Sequence, residues 1–106
     1  MYLTMNRFKV KPGQEAAFEA VWKDRDSHLL KMPGFVSFDL FKGPVVDGLQ
    51  LYASHAMWQD EASFRNWTKS EAFRDSHKGG ASMKEVLAGP PQLEIFESVQ
   101  SLKITA

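Results

Sequence analysis

The chain has 106 residues, of which 43% are hydrophobic and 25% charged, a composition typical of one globular domain over residues 1–106. Thirteen Lys and Arg balance thirteen Asp and Glu, so the basic excess of nucleic-acid binders is missing. The lack of Cys excludes disulfides, thiolate nucleophiles and Cys-ligated iron. Neither a signal-peptide pattern nor an apolar run of roughly 20 residues is found, which predicts a cytoplasmic protein without a membrane span.

Three strands and one long helix are predicted in the first half of the chain. Alternating apolar residues predict the strands, and apolar residues at spacings of three and four predict the helix. Pro and Gly residues separate these elements, as expected for turns and helix ends. The predicted elements are a strand over residues 2–10, a helix over 14–31, a strand over 35–42, a turn region that contains Gly43, Pro44, Asp47 and Gly48, and a strand over 49–57.

Two short helices and a last strand are predicted in the second half. Asp60 is a suitable N-cap for a helix that ends near Lys69, because its carboxylate can accept from free backbone N–H groups. Ser70 repeats this role for a second short helix that runs through His77. A loop and a strand over residues 93–99 follow. The order β-α-β-β-α-β is that of the ferredoxin-like split βαβ motif, so the predicted fold class is α+β.

The second and third predicted strands carry apolar residues on both faces. A sheet that has helices on one side needs only one apolar face. The second apolar face therefore predicts a partner sheet and a homodimer. The third strand sets Leu49, Leu51, Ala53 and Met57 against Tyr52, Ala56 and Trp58, and the second sets Val36, Phe38 and Leu40 against Phe35 and Phe41.

His77 and Trp67 lie ten residues apart on the two predicted short helices. Phe73 and His77 share a helix face, which places the imidazole at the rim of a pocket near a helix C-terminus. There it could ligate a metal such as heme iron, or simply stabilise the helix dipole as a half-exposed side chain. Trp67 follows Phe64 by three residues, so both should face inward, either as core aromatics or as the wall of a pocket.

Asn6 and Arg25 are polar residues in otherwise apolar patterns. Asn6 shares a strand face with Phe8 and Val10, and a buried amide without a partner costs roughly 1–3 kcal/mol. A ligand or a neighbouring backbone group could supply that partner. Arg25 falls on the apolar stripe of the long helix, where its guanidinium either binds an anion or reaches water while its stem packs.

Asn6, Trp67 and His77 together resemble the Asn, Trp, His triad of the heme-degrading monooxygenases within the antibiotic-biosynthesis monooxygenase superfamily. Pro33-Gly34-Phe35 and Trp58, which are common throughout the wider superfamily, accompany the triad. The resemblance spans nearly the whole chain, through Asn6-Arg7-Phe8, Pro33-Gly34-Phe35, Trp58 and residues 67–77.

This resemblance implies a dimeric α+β barrel that binds one heme per subunit, with heme as both substrate and oxygen-activating cofactor. It implies that His77 is the proximal iron ligand, that Asn6 donates a hydrogen bond on the oxygen-binding side, and that Trp67 presses on the porphyrin. Trp22 and Arg25 are further heme-binding residues by the same resemblance. Dioxygen and electrons from an external reductase or small reductant would open the ring and release iron and a bilin-type product.

Two other functions fit the same sequence. One is a cofactor-free monooxygenase of the same superfamily that acts on quinols or polyketide phenols and needs no such triad. The other is a heme-binding or storage dimer without enzymatic activity. Neither alternative requires an electron donor that reacts with bound heme.

Overall fold

The structure is a computed structural model that describes residues 1–24, 29–70 and 85–104. Its elements are β1 (Tyr2–Val10), α1 (Glu15–Asp24), a 3-10 helix (Leu29–Lys31), β2 (Phe35–Val46), β3 (Leu49–Trp58), α2 (Glu61–Thr68) and β4 (Gln92–Glu97). The strands form one antiparallel sheet in the order β2–β3–β1–β4, which confirms the predicted ferredoxin-like α+β class. No helix of the described residues is long and apolar enough to cross a membrane.

The strand β2 is longer than its sequence predicts, because it continues through Gly43 and Pro44. Pro44 is tolerated there since β2 is an edge strand and its pairing with β3 shifts register at this point. The hairpin turn is confined to Asp47 and Gly48, which have φ angles of 52° and 78°. Two consecutive positive φ angles are typical of a tight hairpin turn. The predicted turn is therefore right at Asp47 and Gly48 and wrong at Gly43 and Pro44.

The last residues of the helix predicted over 14–31 are not α-helical in the structure. α1 occupies the predicted N-terminal part, and a separate 3-10 helix occupies the C-terminal end. The Met32 N–H donates to the Leu29 carbonyl at 3.0 Å, a tight turn just before Pro33. Proline disfavours α-helical backbone in the residue before it, which explains why a regular helix does not continue to this point.

Antiparallel pairing gives the sheet an inner face, which carries the helices, and an outer face. The inner face shows the even-numbered residues of β1 beside those of β3, in the pairs Tyr2–Trp58, Thr4–Ala56, Asn6–Ser54, Phe8–Tyr52 and Val10–Gln50. A register shift between Phe35 and Ser37 puts Phe35 on the inner face with Phe38. The predicted alternation, which opposed Phe35 to Phe38, is therefore wrong because of this bulge.

Two aromatic cores lie at the two ends of the inner face. The first core packs against α1 and contains Phe8, Val10, Phe18, Tyr52, Val86 and Leu87. The second core packs against α2 and contains Tyr2, Leu29, Trp58 and Trp67. Thr4, Asn6 and Ser54 lie between the two cores on the same face. The middle of the inner face is thus polar, while both ends are mainly apolar.

The start of α2 is fixed by a cap and by a close contact with the turn before β2. The Asp60 carboxylate accepts from the Ser63 backbone N–H at 2.8 Å, which confirms Asp60 as the N-cap. Gly34 has a φ of 80°, and a Cβ at this position would collide with the Ser63 side chain. The Gln59 N–H also donates to the Gly34 carbonyl at 2.8 Å. These contacts fix the place where α2 begins and, through it, the position of Trp67.

Candidate functional site

A row of four residues, one from each strand, crosses the middle of the inner face, and its two central residues are polar. Asn6 is paired with Ser54 on one side and with Leu93 on the other, and Ser54 is paired in turn with Leu40. Asn6 is half-buried, and Ser54 is only 5% exposed. Within the described residues, neither the Asn6 amide nor the Ser54 hydroxyl has a hydrogen-bond partner. Two adjacent polar groups therefore face a space bounded by leucines.

Trp67 packs from α2 into the second core, next to this row on the inner face. Its side chain is 6% exposed, and its ring lies 6.3 Å from the ring of Trp58 at an interplanar angle of 32°. Phe64 packs against the same second core. The predicted inward orientation of Phe64 and Trp67 is confirmed, and the packing holds the indole of Trp67 in one orientation. Trp58 is a core residue and is 1% exposed.

Trp22 forms part of a cleft between α1 and the edge of the sheet. Its ring stacks on Phe38 with centroids 5.6 Å apart and an interplanar angle of 22°. The cleft has a volume of about 260 Å³ and is lined by Glu19, Trp22, Lys23, Phe38, Leu40, Lys42 and Tyr52. Leu40 belongs both to the cleft and to the row that contains Asn6. Since neighbouring strands are about 4.8 Å apart, the cleft lies about 10 Å from Asn6 across the sheet.

A Tyr–Glu pair lines the inner wall of this cleft. The Tyr52 hydroxyl donates to the Glu19 carboxylate at 2.6 Å. Burial raises the pKa of Tyr52 above its ordinary value, and the bond to Glu19 and the charges of Glu19 and Glu15 raise that pKa further. Tyr52 is therefore a hydrogen-bond donor and not a base at neutral pH. Its role was missed from the sequence, although the spacing of Glu15, Glu19 and Lys23 by four residues indicated a common helix face.

One of the three histidines, His55, lies on the outer face of the sheet, and the other two lie outside the described residues. His55 is paired with Met5 and Asp39 on the outer face, and its ring lies 5.9 Å from that of Phe41. The sheet separates His55 from Asn6, so the two side chains cannot contact the same ligand.

The other predicted basic site residues lie outside the described residues. These are His77 and Arg25, together with the third histidine, His28. The roles of His77 and Arg25 stay predictions. Among the described residues, no group of three or more His, Asp and Glu residues could hold a metal ion.

The sequence matches the family model described as antibiotic biosynthesis monooxygenase over residues 1–79. The chain belongs to the antibiotic biosynthesis monooxygenase family. No curated protein matches its sequence. The match covers β1 to α2 and therefore includes Asn6, Trp22 and Trp67.

Several solved structures share the fold of this monooxygenase family member. SnoaB, a cofactor-independent oxygenase from Streptomyces nogalater, is 24% identical with a TM-score of 0.70, and the match covers 95% of each chain. A mutant of MhuD with two manganese protoporphyrin IX molecules bound per active site is 22% identical with a TM-score of 0.77, over 97% of this chain and 99% of that one. A Bacillus cereus protein described as an antibiotic biosynthesis monooxygenase is 16% identical with a TM-score of 0.75, over 99% and 97%. These TM-scores show a common fold.

Proposed function

We propose that this family member is a heme-degrading monooxygenase that opens the porphyrin with dioxygen and electrons from an external reductant. Iron and a bilin-type tetrapyrrole would be the products. Asn6 carries the proposal, because its amide has no partner within the described residues and lies between two aromatic cores on the inner face. The family triad supplies the other two residues, Trp67 and His77.

Apolar surfaces on the described part of the inner face support a large flat ligand. The stacked rings of Trp22 and Phe38 form one apolar wall, and the buried indole of Trp67 lies against the opposite core. Leu40 and Leu93 extend the apolar surface on either side of the polar pair. MhuD, which shares the fold, binds a metalloporphyrin in its active site, and this supports the same ligand class here.

Each residue has a role that follows from its chemistry. Bound heme supplies oxygen activation and is itself the molecule consumed, so the protein has to hold, orient and distort it. By the resemblance to the heme-degrading enzymes, His77 would hold the iron, and His55 lies on the opposite face of the sheet from Asn6. Asn6 would donate a hydrogen bond that orients an acceptor oxygen of the bound ligand, and Trp67 would press on the ring. Trp22 forms the far wall, and Arg25 binds an anionic group of the ligand.

We also propose that two copies of the chain pair through their outer faces. Phe41 and Phe96 are 52% and 49% exposed there, and Met5, Leu51 and Met57 are half-buried nearby. An apolar area of this kind on a sheet is typical of an interface. A second copy offers the same apolar surface and would cover it, as the resemblance to dimeric barrels implies. A cytoplasmic location remains a prediction from the sequence.

The likeness to SnoaB favours a second candidate, a cofactor-free oxygenase acting on a quinol or phenol. In that case Asn6 would contact an oxygen of the organic substrate, with no requirement for His77. The third possibility, a heme-storage dimer, would bind the same ligand without consuming it.

A hemin titration followed by reduction distinguishes these functions. The purified protein is titrated with hemin, and the Soret band is recorded; ascorbate is then added under air. We expect a saturable Soret band that decays as a bilin absorbance grows. Absence of the band would favour the cofactor-free oxygenase, and a stable band after ascorbate would favour storage. A catalase control removes free hydrogen peroxide, which bleaches heme without enzymatic turnover.

A further inference from the structure

Ser54 is a buried residue at the centre of the inner face, and its hydroxyl has no role in the function proposed above. It lies directly opposite Asn6 and is 5% exposed. Thr4, the other hydroxyl nearby, points its Oγ1 toward the Ala56 carbonyl at 3.5 Å. Ser54 has no such partner within the described residues. A hydroxyl without a bond inside the protein is available to a ligand or to water.

We infer that Ser54 is a second ligand contact of the site, and that its hydroxyl and the Asn6 amide hold one acceptor oxygen between them. The inference rests on the proposed function and adds a residue that the triad does not include. The ligand class it requires is an oxygen-bearing group next to a flat aromatic ring. The oxygen bound at heme iron and the oxygen of a phenol both meet this description.

The spacing of the two residues suits such a shared oxygen. Residues directly opposite on antiparallel strands have Cβ atoms about 4.5–5.5 Å apart. At this separation, two polar groups that do not bond directly can both reach one atom at about 2.7–3.0 Å, as a bridging water does. The Ser54 hydroxyl and the Asn6 amide can both donate, so an acceptor oxygen satisfies both.

The residues around Asn6 and Ser54 leave both donors available to a ligand. Leu40 and Leu93 flank it in the same row, so neither neighbour competes for the two donors. Trp22 and Trp67 belong to the cores on either side. A ligand oxygen bound between Asn6 and Ser54 would therefore accept hydrogen bonds from two donors on the same face of the sheet. These two bonds would fix its orientation.

The decisive variants are S54T and S54V, which have nearly the same shape but differ in the hydroxyl. S37V provides a matched control, because Ser37 is on the outer face opposite Met57. All three variants are measured as the full chain, by denaturation and by two readouts that do not depend on turnover. A fold defect would affect S54T and S54V alike, whereas loss of the hydroxyl affects only S54V.

The first readout is nuclear magnetic resonance of ligand-free protein labelled with ¹⁵N in asparagine only. The chain has two asparagines, Asn6 and Asn66, and Asn66 is exposed on α2, so its side-chain amide is an internal reference. We expect a water contact to the Asn6 amide that S54T keeps and S54V loses, with Asn66 unchanged. If S54V keeps the contact, the shared-oxygen arrangement is wrong, whatever the protein binds.

The second readout is the C–O stretching frequency of carbon monoxide bound to the reduced heme complex. A nearby donor lowers this frequency, so we expect S54V to raise it and S54T and S37V to match wild type.

Heme degradation by S54V should be about tenfold slower, consistent with loss of one neutral hydrogen bond. In an Asn6→Ala background, S54V should add little, because the two residues act on one atom. Additive effects would overturn the inference while leaving heme degradation intact, whereas a wild-type protein without a Soret band would overturn the proposed function instead.

Discussion

The two faces of the sheet depart from the usual distribution of polar and apolar side chains in opposite ways. On the inner face, packed between helices and sheet, the exceptions are the polar residues Asn6 and Ser54. On the outer face, the exceptions are exposed apolar residues such as Phe41 and Phe96. A polar group among apolar neighbours needs a ligand or partner, whereas an apolar group at the surface needs a cover. We therefore propose that the inner face carries the chemistry and that the outer face carries the association.

The histidines give the sharpest test of this division. His77→Ala should abolish the spectrum of ligated ferric heme, whereas His55→Ala, on the outer face, should retain it. The measurement is a hemin titration followed by absorbance and electron paramagnetic resonance. A normal spectrum in His77→Ala would remove the assigned ligand and would leave His28 as the histidine to test.

An acidic residue on the outer face should separate the two copies. Phe41→Asp places a charge in the proposed interface, where desolvation is costly, so we expect a monomer at micromolar concentration. Leu30→Asp is the control, because Leu30 is 91% exposed and lies outside the sheet. Light scattering measures both variants and wild type. A wild-type monomer would contradict the assignment of the outer face to association.

Removing the Asn6 amide should damage chemistry more than binding. A neutral hydrogen bond contributes about 0.5–1.5 kcal/mol, so the heme affinity of Asn6→Ala should fall by about tenfold at most. Misdirection of the reacting oxygen by about 1 Å can cost on the order of a hundredfold in rate, and we expect a loss of that size. Asn66→Ala is the control. Wild-type turnover by Asn6→Ala would contradict the role of the inner face, and a failure to fold would indicate a structural amide.

Comparing Gly34→Ala with Gly48→Ala separates the cost of backbone strain from the cost of a clash with a packed side chain. Both have φ near 80°, but only Gly34 lies against a side chain, that of Ser63. Gly48→Ala should cost about 1 kcal/mol of unfolding free energy from backbone strain. Gly34→Ala should cost about 3 kcal/mol, because α2 must also move, and its near-ultraviolet circular dichroism should change at Trp67. Urea denaturation gives both values, and equal costs would show that the contact with Ser63 relaxes freely.

The hydrogen bond between Tyr52 and Glu19 predicts a smaller, pH-dependent effect. Folding raises the pKa of Tyr52, chiefly by burial, so its stabilisation is complete below the ordinary Tyr value near 10. Above that pH the unfolded chain loses a proton that the folded protein keeps, and stability falls as pH rises toward the folded pKa. Tyr52→Phe should lose about 1 kcal/mol at neutral pH and show a weaker decline above pH 10. Parallel stability curves for the two proteins would contradict this.

How far the sequence predicts the structure depends on whether a pattern is regular. β1 has the predicted bounds because its alternation is unbroken and places Asn6 among apolar residues on one face. The Asp60 cap was predictable because its chemistry is local. The bulge that turns Phe35 inward depends on pairing with a distant strand, and no local signal marks it.

The candidate site was predictable in the same uneven way. Asn6 and Trp67 were found through the family triad, and the structure places both on the inner side of the sheet. Ser54 was missed because a serine in a strand is unremarkable until the register sets it opposite Asn6. The Tyr52–Glu19 pair was missed for the same reason, since it joins β3 to α1 across 33 positions.

The most direct test of the central claim is to locate a bound porphyrin relative to the two asparagines. Gallium protoporphyrin IX is diamagnetic and is not degraded, so it can be added to the ¹⁵N-asparagine-labelled protein during nuclear magnetic resonance. We predict that the side-chain signals of Asn6 shift strongly on saturation while those of Asn66 shift little. Saturable porphyrin binding that leaves the Asn6 signals unchanged would place the ligand elsewhere and contradict the account.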